Sequence, residues 1–124
     1  MGQINSFKDL ILYQKAYKLA MEIFEISNDF PKEEKYSLTD QIHRSSRSVT
    51  SNIAEAWAKR RYVKSFVNKL TDSLGEEFET ETWLDYSRDC RYISDTIYDR
   101  ITAEYDEVRK ILISIINSPD KWCL

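Results

Sequence analysis

An all-α fold, an antiparallel up-down-up-down bundle of four helices, is predicted by three features of this 124-residue chain. Only two Gly and two Pro occur, so turn formers are scarce, while Leu, Ile, Ala, Glu and Lys, good helix formers or core residues, abound. Apolar residues recur at three-and-four spacing in four successive blocks. Capping or helix-ending residues bound those blocks. The length fits a single domain, residues 1–124, that buries about two-thirds of its unfolded surface, so stability needs neither a metal nor a disulfide.

The first helix is expected over residues 7–28. It opens behind Asn5 and Ser6, with the Ser6 to Asp9 spacing of a capping box, and closes before Phe30-Pro31, because the residue preceding proline avoids helical backbone. Two apolar rows run along it: Leu10, Tyr13, Tyr17, Ala20 and Phe24, and beside them Leu12, Ala16, Leu19, Ile23 and Ile26. Between Leu10 and Ile26, 12 of 17 positions are apolar, more than one core-facing side accounts for, so an exposed apolar patch and a partner surface follow. The competing expectation is a tilted helix whose second row is covered by PKEEKY and the KWCL end.

PKEEKY reads as a separate short turn before the second helix, residues 37–59, with Ser37 as cap and Asp40 three positions on. This helix carries Leu38, Ile42, Ser45, Val49, Ile53 and Ala56. The third helix, 63–90, is marked by Phe66, Leu70, Leu74, Phe78 and Leu84. The fourth, 95–117, starts behind Ser94, carries Ile97, Ile101, Tyr105, Val108, Leu112 and Ile115, and stops at Asn117-Ser118-Pro119. KRRYV, residues 59–63, has no Gly or Pro, but one continuous rod from 37 to 90 with no heptad register is disfavoured against a break there.

Within SVTSNIAEAW, Asn52 falls on the helix seam with Glu55 one turn further on. A buried amide without a partner costs about 1 to 3 kcal/mol. Glu79 and Thr80 in GEEFETETWLDY are candidate partners, and a polar network of Asn52, Glu55, Glu79 and Thr80 would fix the register of the helices. Small Ser45, Ser46 and Ala56 would allow another helix to approach closely. The catalytic alternative, carboxylates at Glu55 and Glu79, lacks the Glu-x-x-His pattern of di-iron bundles, because the single histidine, His43, is not three residues after any glutamate. No nucleophile, base and electrostatic stabiliser converge, and no metal or cofactor is expected.

Charge excludes a uniformly basic nucleic-acid binder: 18 basic against 21 acidic side chains give a net charge of −3. The charge is nevertheless segregated. From Gln41 to Lys64 the basic residues Arg44, Arg47, Lys59, Arg60, Arg61 and Lys64 face the single acid Glu55, whereas from Asp72 to Asp89 seven acids face only Arg88. The six basic residues are the candidate nucleic-acid contacts. Repeated around an oligomer, the KRR corner would form a multivalent cationic collar for phosphates. The alternative is that Lys59, Arg60 and Arg61 complement the helix dipole and bridge to the acidic face of the third helix in a neighbouring copy.

Cys90 and Cys123 have neither metal spacing nor a prenylation box, and read as free thiols in a reducing cytosol. No apolar run reaches membrane length, so a soluble, cytoplasmic protein is expected. MGQINS fits the loose myristoylation pattern through Gly2 and Ser6, but the same Ser6 serves as a cap.

The phrases FPKEEKYSLTDQIHRSSRSVTSNIAEA, GEEFETETWLDY and DCRYIS closely resemble the bacterial four-helix-bundle proteins encoded by intervening sequences in large-subunit ribosomal RNA genes. Phe30, Pro31, Glu34, Leu38, Thr39, Gln41, Ile42, Asn52, Ile53, Ala54 and Glu55 stand at that family's pattern positions, and the likeness runs from Phe7 to about Asn117. Ala56 stands where the family usually has Gly. The resemblance implies a ring-like homopentamer. It also implies kinship to the accessory variability determinant of diversity-generating retroelements, a barrel that binds a reverse transcriptase and nucleic acid. Two functional expectations follow: a non-enzymatic homo-oligomeric scaffold for RNA, DNA or a ribonucleoprotein, and an oligomeric protein-binding adaptor using the acidic third helix with Trp83 or Trp122.

Overall fold

The computed structural model describes residues 3–124; Gly2, on which the myristoylation pattern depends, lies outside them. Four helices follow one another: α1 (Ile11–Ser27), α2 (Leu38–Ala58), α3 (Val63–Asp89) and α4 (Asp95–Asn117). Short 3-10 turns stand at Phe7–Asp9, Lys32–Glu34 and Pro119–Lys121. No strand occurs among the described residues.

The pairing of side chains sets the direction of every helix. Between α1 and α4, Lys15 meets Glu107 at 2.8 Å and Glu22 meets Arg100 at 2.6 Å, so positions advance along one helix as they retreat along the other. Ser27 with His43 and Phe24 with Arg47 show the same reversal between α1 and α2. Ser45 with Thr80 and Glu55 with Lys69 show it between α2 and α3, and Asp85 with Tyr98 and Glu77 with Arg109 between α3 and α4. Neighbours in sequence are therefore antiparallel neighbours in space, and α1 and α4 close the square. The core is filled by Leu12, Leu19 and Ile23 of α1, Ile42, Val49 and Ile53 of α2, Leu84 of α3, and Ile101, Tyr105, Val108 and Leu112 of α4, all at 2% exposure or less.

Three local differences from the sequence expectation have identifiable causes. The Ser6 cap exists, with Ser6 Oγ accepting from Lys8 N–H and Asp9 Oδ2 accepting from Asn5 and Ser6 N–H. It closes a 3-10 turn, however, and not α1: Leu10 turns to extended backbone (φ −69°, ψ 129°) so that its side chain enters the core, and α1 starts at Ile11. Ser37 does not cap α2; its hydroxyl donates to Glu34 Oε1 at 2.6 Å, tying the helix to the preceding turn. On α3 the buried face is Phe66, Leu70, Ser73, Glu77, Thr80, Leu84 and Ser87, whereas Phe78 is exposed. The apolar stripe through Phe78 takes a surface ring for a core residue, because the true face carries small polar side chains.

α3 ends in a reversal in which Tyr92 N–H donates to Ser87 O (2.8 Å) and Arg91 N–H to Arg88 O (2.9 Å), with Arg91 at φ 64°. That left-handed position favours glycine, since a Cβ crowds the backbone there. Arg91→Gly is expected to raise stability by about 0.5–1 kcal/mol, read as a higher denaturant midpoint with an unchanged slope; a lower midpoint would contradict the assignment.

Candidate functional site

The six basic residues expected to bind nucleic acid do not form one surface. Arg44 is engaged: its guanidinium bridges to Glu76 at 2.9 Å and also to Glu79, and these two carboxylates hold it charged at all accessible pH. Arg47 lies on the α1–α2 side over the Phe24 ring, 5.8 Å from its centroid. Lys59, Arg60, Arg61 and Lys64 cluster at the turn between α2 and α3, about four helical turns away from Arg44 at 1.5 Å per residue. None of these four has a carboxylate partner among the described residues, although Lys15, Arg44, Lys69, Arg88, Arg100, Arg109 and Lys110 each do.

Arg60 differs from its neighbours. Its guanidinium stacks on Trp57 at 3.5 Å, its Nε donates to Trp57 O at 2.8 Å, and its own carbonyl accepts from Leu124 N–H at 3.0 Å. It therefore caps the carbonyl end of α2 and pins the chain's last residue there, as a cation at a helix C-terminus can. Lys59, Arg61 and Lys64 remain exposed. Tyr62 stands among them on extended backbone, 63% exposed, and opens α3 without a side-chain cap.

The acids of α3 are largely consumed within the molecule. Glu76 and Glu79 hold Arg44, Glu81 holds Arg109 at 2.6 Å, and Asp85 accepts from the Tyr98 hydroxyl. Arg44 and Arg109 thus meet Glu76, Glu79 and Glu81 within the molecule, and Asp72 has no cation partner among the described residues, so the face expected to receive the KRR corner of another copy keeps a net negative charge.

The expected network of Asn52, Glu55, Glu79 and Thr80 is not one cluster. Asn52 is half-buried and donates to Ser48 O at 2.9 Å, one turn back on its own helix, so its amide is satisfied locally. Glu55 is exposed and paired with Lys69 at 2.6 Å, which holds its carboxyl below the usual range. Glu79 serves Arg44 and accepts from Trp83 Nε1 at 3.3 Å. Thr80 alone belongs to the buried seam: its hydroxyl is 2.9 Å from Ser45 Oγ, and further along Ser73 Oγ donates to Val49 O at 2.7 Å. Two hydroxyl contacts between closely packed α2 and α3 set the register that the amide was expected to set.

Glu77 carries no signal in the sequence that separates it from its acidic neighbours. It is fully buried between α3 and α4; Oε1 lies 3.4 Å from Arg109 Nη1 and Oε2 has no donor, while the buried Tyr105 hydroxyl is likewise unpartnered. Burial first, and then the Glu81 carboxyl one turn on, push its pKa up to about 9, against the opposing pull of Arg109. The one histidine, which fits no metal pattern, has a structural task. His43 Nε2 is hydrogen-bonded to Ser27 Oγ at 2.6 Å, and the same hydroxyl lies 3.0 Å from Phe24 O. Burial, and then Arg47, lower its pKa. Ser27 is itself buried, and the pair ties α1 to α2.

The two apolar rows of α1 divide as their number required. Leu12, Ala16, Leu19 and Ile23 are buried, whereas Tyr17, Met21 and Phe24 are exposed, as is Ile11 at the start of the helix. Neither PKEEKY nor the chain's end covers this stripe: Tyr17 and Met21 stay exposed, while Trp122, half-buried, packs against the core and lines a small apolar cleft with Leu10, Trp57, Phe66 and Ile115. A groove of Tyr36, Leu38, Trp83 and Tyr86 is a second exposed aromatic feature. No helix among the described residues is long and apolar enough to cross a membrane.

A model of the family described as 23S rRNA-intervening sequence protein matches residues 8–114. The chain is also similar to a protein of unknown function from the S23 ribosomal protein family of Bacteroides thetaiotaomicron VPI-5482, known from a crystal structure at 1.70 Å resolution. That likeness has a TM-score of 0.78 and 33% identity, and covers 87% of this chain and 96% of the other. No curated protein matches the chain.

Proposed function

Since the chain belongs to the 23S rRNA-intervening sequence protein family, we propose that it is a non-enzymatic, ring-like homo-oligomeric scaffold that holds RNA or DNA along a collar of cationic corners. Five copies is the number its family resemblance implies. The observation that carries this is the contrast in pairing: Arg44, Arg100 and Arg109 are spent on carboxylates, while Lys59, Arg61 and Lys64 gather unpaired at one corner. Unpaired cations in one place attract phosphates by releasing counterions, and repetition around a ring multiplies the effect. The exposed Tyr17, Met21 and Phe24 stripe supports self-association, because an apolar face of this kind is costly to leave in water.

Light scattering on the purified protein is expected to show a discrete oligomer, and Tyr17→Lys with Met21→Lys is expected to give single protomers of unchanged helix content. A lone wild-type protomer at all dilutions would end the assembly proposal. Retention on RNA or DNA is expected to fall steeply with salt. Changing Lys59, Arg61 and Lys64 to Gln should weaken it and lower the salt slope by about one for each phosphate no longer neutralised. Arg60 is left intact because it holds Trp57 and Leu124. Indifference to nucleic acid at low salt would overturn the scaffold proposal in favour of the adaptor, for which the Tyr36, Trp83 and Tyr86 groove is the supporting feature; that adaptor would bring down the same protein partner before and after nuclease treatment.

A further inference from the structure

We infer that the corner between α2 and α3 takes single-stranded nucleic acid in preference to duplex, with Tyr62 as a platform on which an unpaired base stacks; this rests on the nucleic-acid reading above. The turn Lys59–Tyr62 joins two antiparallel helices at one end of the bundle, where Arg60 folds back onto Trp57 while Lys59, Arg61 and Tyr62 stay exposed. There Tyr62 is 63% exposed, and neither another ring nor a cation stacks on it among the described residues. Among the described residues its hydroxyl makes no hydrogen bond to a side chain or backbone group, whereas the half-buried Tyr92 and Tyr98 hydroxyls are held by Glu34 and Asp85. Packing therefore gives no reason for an aromatic residue at this position.

Its surroundings supply one. Lys59, Arg61 and Lys64 flank the ring within a few residues of sequence, and Val63, 42% exposed, extends the apolar surface beside it. The chemistry offered is a positive rim for phosphates around a bare π-face. A duplex presents phosphates but keeps its base faces stacked inside, so it can use only the rim. A single strand can use both, since any unstacked base offers a face to the ring. The other ring at this corner, Trp57, cannot serve in the same way, because Arg60 already lies on it at 3.5 Å.

The test compares the wild-type oligomer with Tyr62→Ala, Tyr62→Phe and Tyr62→Trp by fluorescence anisotropy. The probes are a short oligouridine, a short oligothymidine and an RNA duplex of equal phosphate count, each titrated across salt concentrations. Tyr62→Ala is expected to weaken single-strand binding about five- to a hundredfold, with the duplex affinity and the salt slope unchanged because no charge is removed. The Phe and Trp variants should bind single strands like wild type. Equal behaviour of oligouridine and oligothymidine would identify the base face as the recognised element, and a preference for one would assign the strand's identity without altering the role of the ring. Single-strand binding by Tyr62→Ala equal to wild type, or an equal loss on the duplex, would overturn the inference while leaving a phosphate-binding collar standing. Failure of the wild type to bind any probe at low salt would remove the nucleic-acid reading and this inference together.

Discussion

Glu77→Gln is expected to stabilise the protein at neutral pH by roughly 2–3 kcal/mol and to flatten its pH–stability profile. Glu77 is fully buried, with one oxygen lacking a donor and the other only 3.4 Å from a guanidinium that is already committed to Glu81 and Asp106. In the unfolded chain its carboxyl ionises near the ordinary value of 4.5, whereas in the fold its pKa is pushed up to about 9. The folded state thus binds a proton that the unfolded state has released, and stability falls as pH rises between these two values. Its contribution is most favourable below the unfolded pKa and is lost as pH approaches 9. A glutamine has the shape of the neutral acid and no proton to lose, so the variant escapes this loss. Urea denaturation of both proteins at pH 5, 7 and 9 measures it. The two curves should lie closest at pH 5 and diverge with rising pH; profiles that run parallel would show that Arg109 keeps Glu77 ionised in the fold.

Ser45→Leu is expected to destabilise the bundle by about 3 kcal/mol, a large part of a typical domain's 5–15 kcal/mol. Ser45 is fully buried at the seam between α2 and α3, and its oxygen lies 2.9 Å from the Thr80 hydroxyl. A leucine there must push α3 outward or adopt a strained rotamer. Ser45→Ala separates volume from hydrogen bonding, because Thr80 retains Glu76 O as an acceptor at 2.9 Å; its cost should stay near 1 kcal/mol. Pairing Ser45→Leu with Thr80→Ala should recover part of the loss, since neighbouring sites couple through shared space. Thermal unfolding of the Leu variant within a degree of wild type would refute the close contact.

These two sites also mark where sequence legibility ends. α4 is readable to the residue, because Ser94 caps it by accepting from Ile97 N–H and Ile101, Tyr105, Val108 and Leu112 repeat on one buried face. The break before Leu38 is legible from proline, whereas the one at the KRRYV corner, with no Gly or Pro, rests on helix length alone. α3 is not, since its inward face alternates Leu with Ser73, Glu77 and Thr80, and an outward Phe78 completes a false stripe. Hydroxyls that bond across a seam leave no periodic signal, and a buried acid looks like any of the seven acids between Asp72 and Asp89. Asn52 misleads for a related reason: the carbonyl that satisfies it belongs to Ser48 on its own helix, and backbone acceptors are invisible in a pattern of side chains. At the cationic corner the sequence supplies the residues, but only the pairing of Arg44 with Glu76 and Glu79 separates engaged charges from available ones.

The square arrangement of antiparallel neighbours has a kinetic corollary. The hydroxyl bond from Ser73 to Val49 closes a loop of 24 residues, whereas the Lys15–Glu107 pair that joins α1 to α4 spans 92. Chain closure is entropically cheaper for the shorter loop, so the α2–α3 hairpin should assemble early and the α1–α4 edge should zip last. Pulse-labelled hydrogen exchange during refolding would then protect amides of Ser46–Ile53 before those of Leu12–Leu19; the reverse order would mean that the terminal helices nucleate the fold.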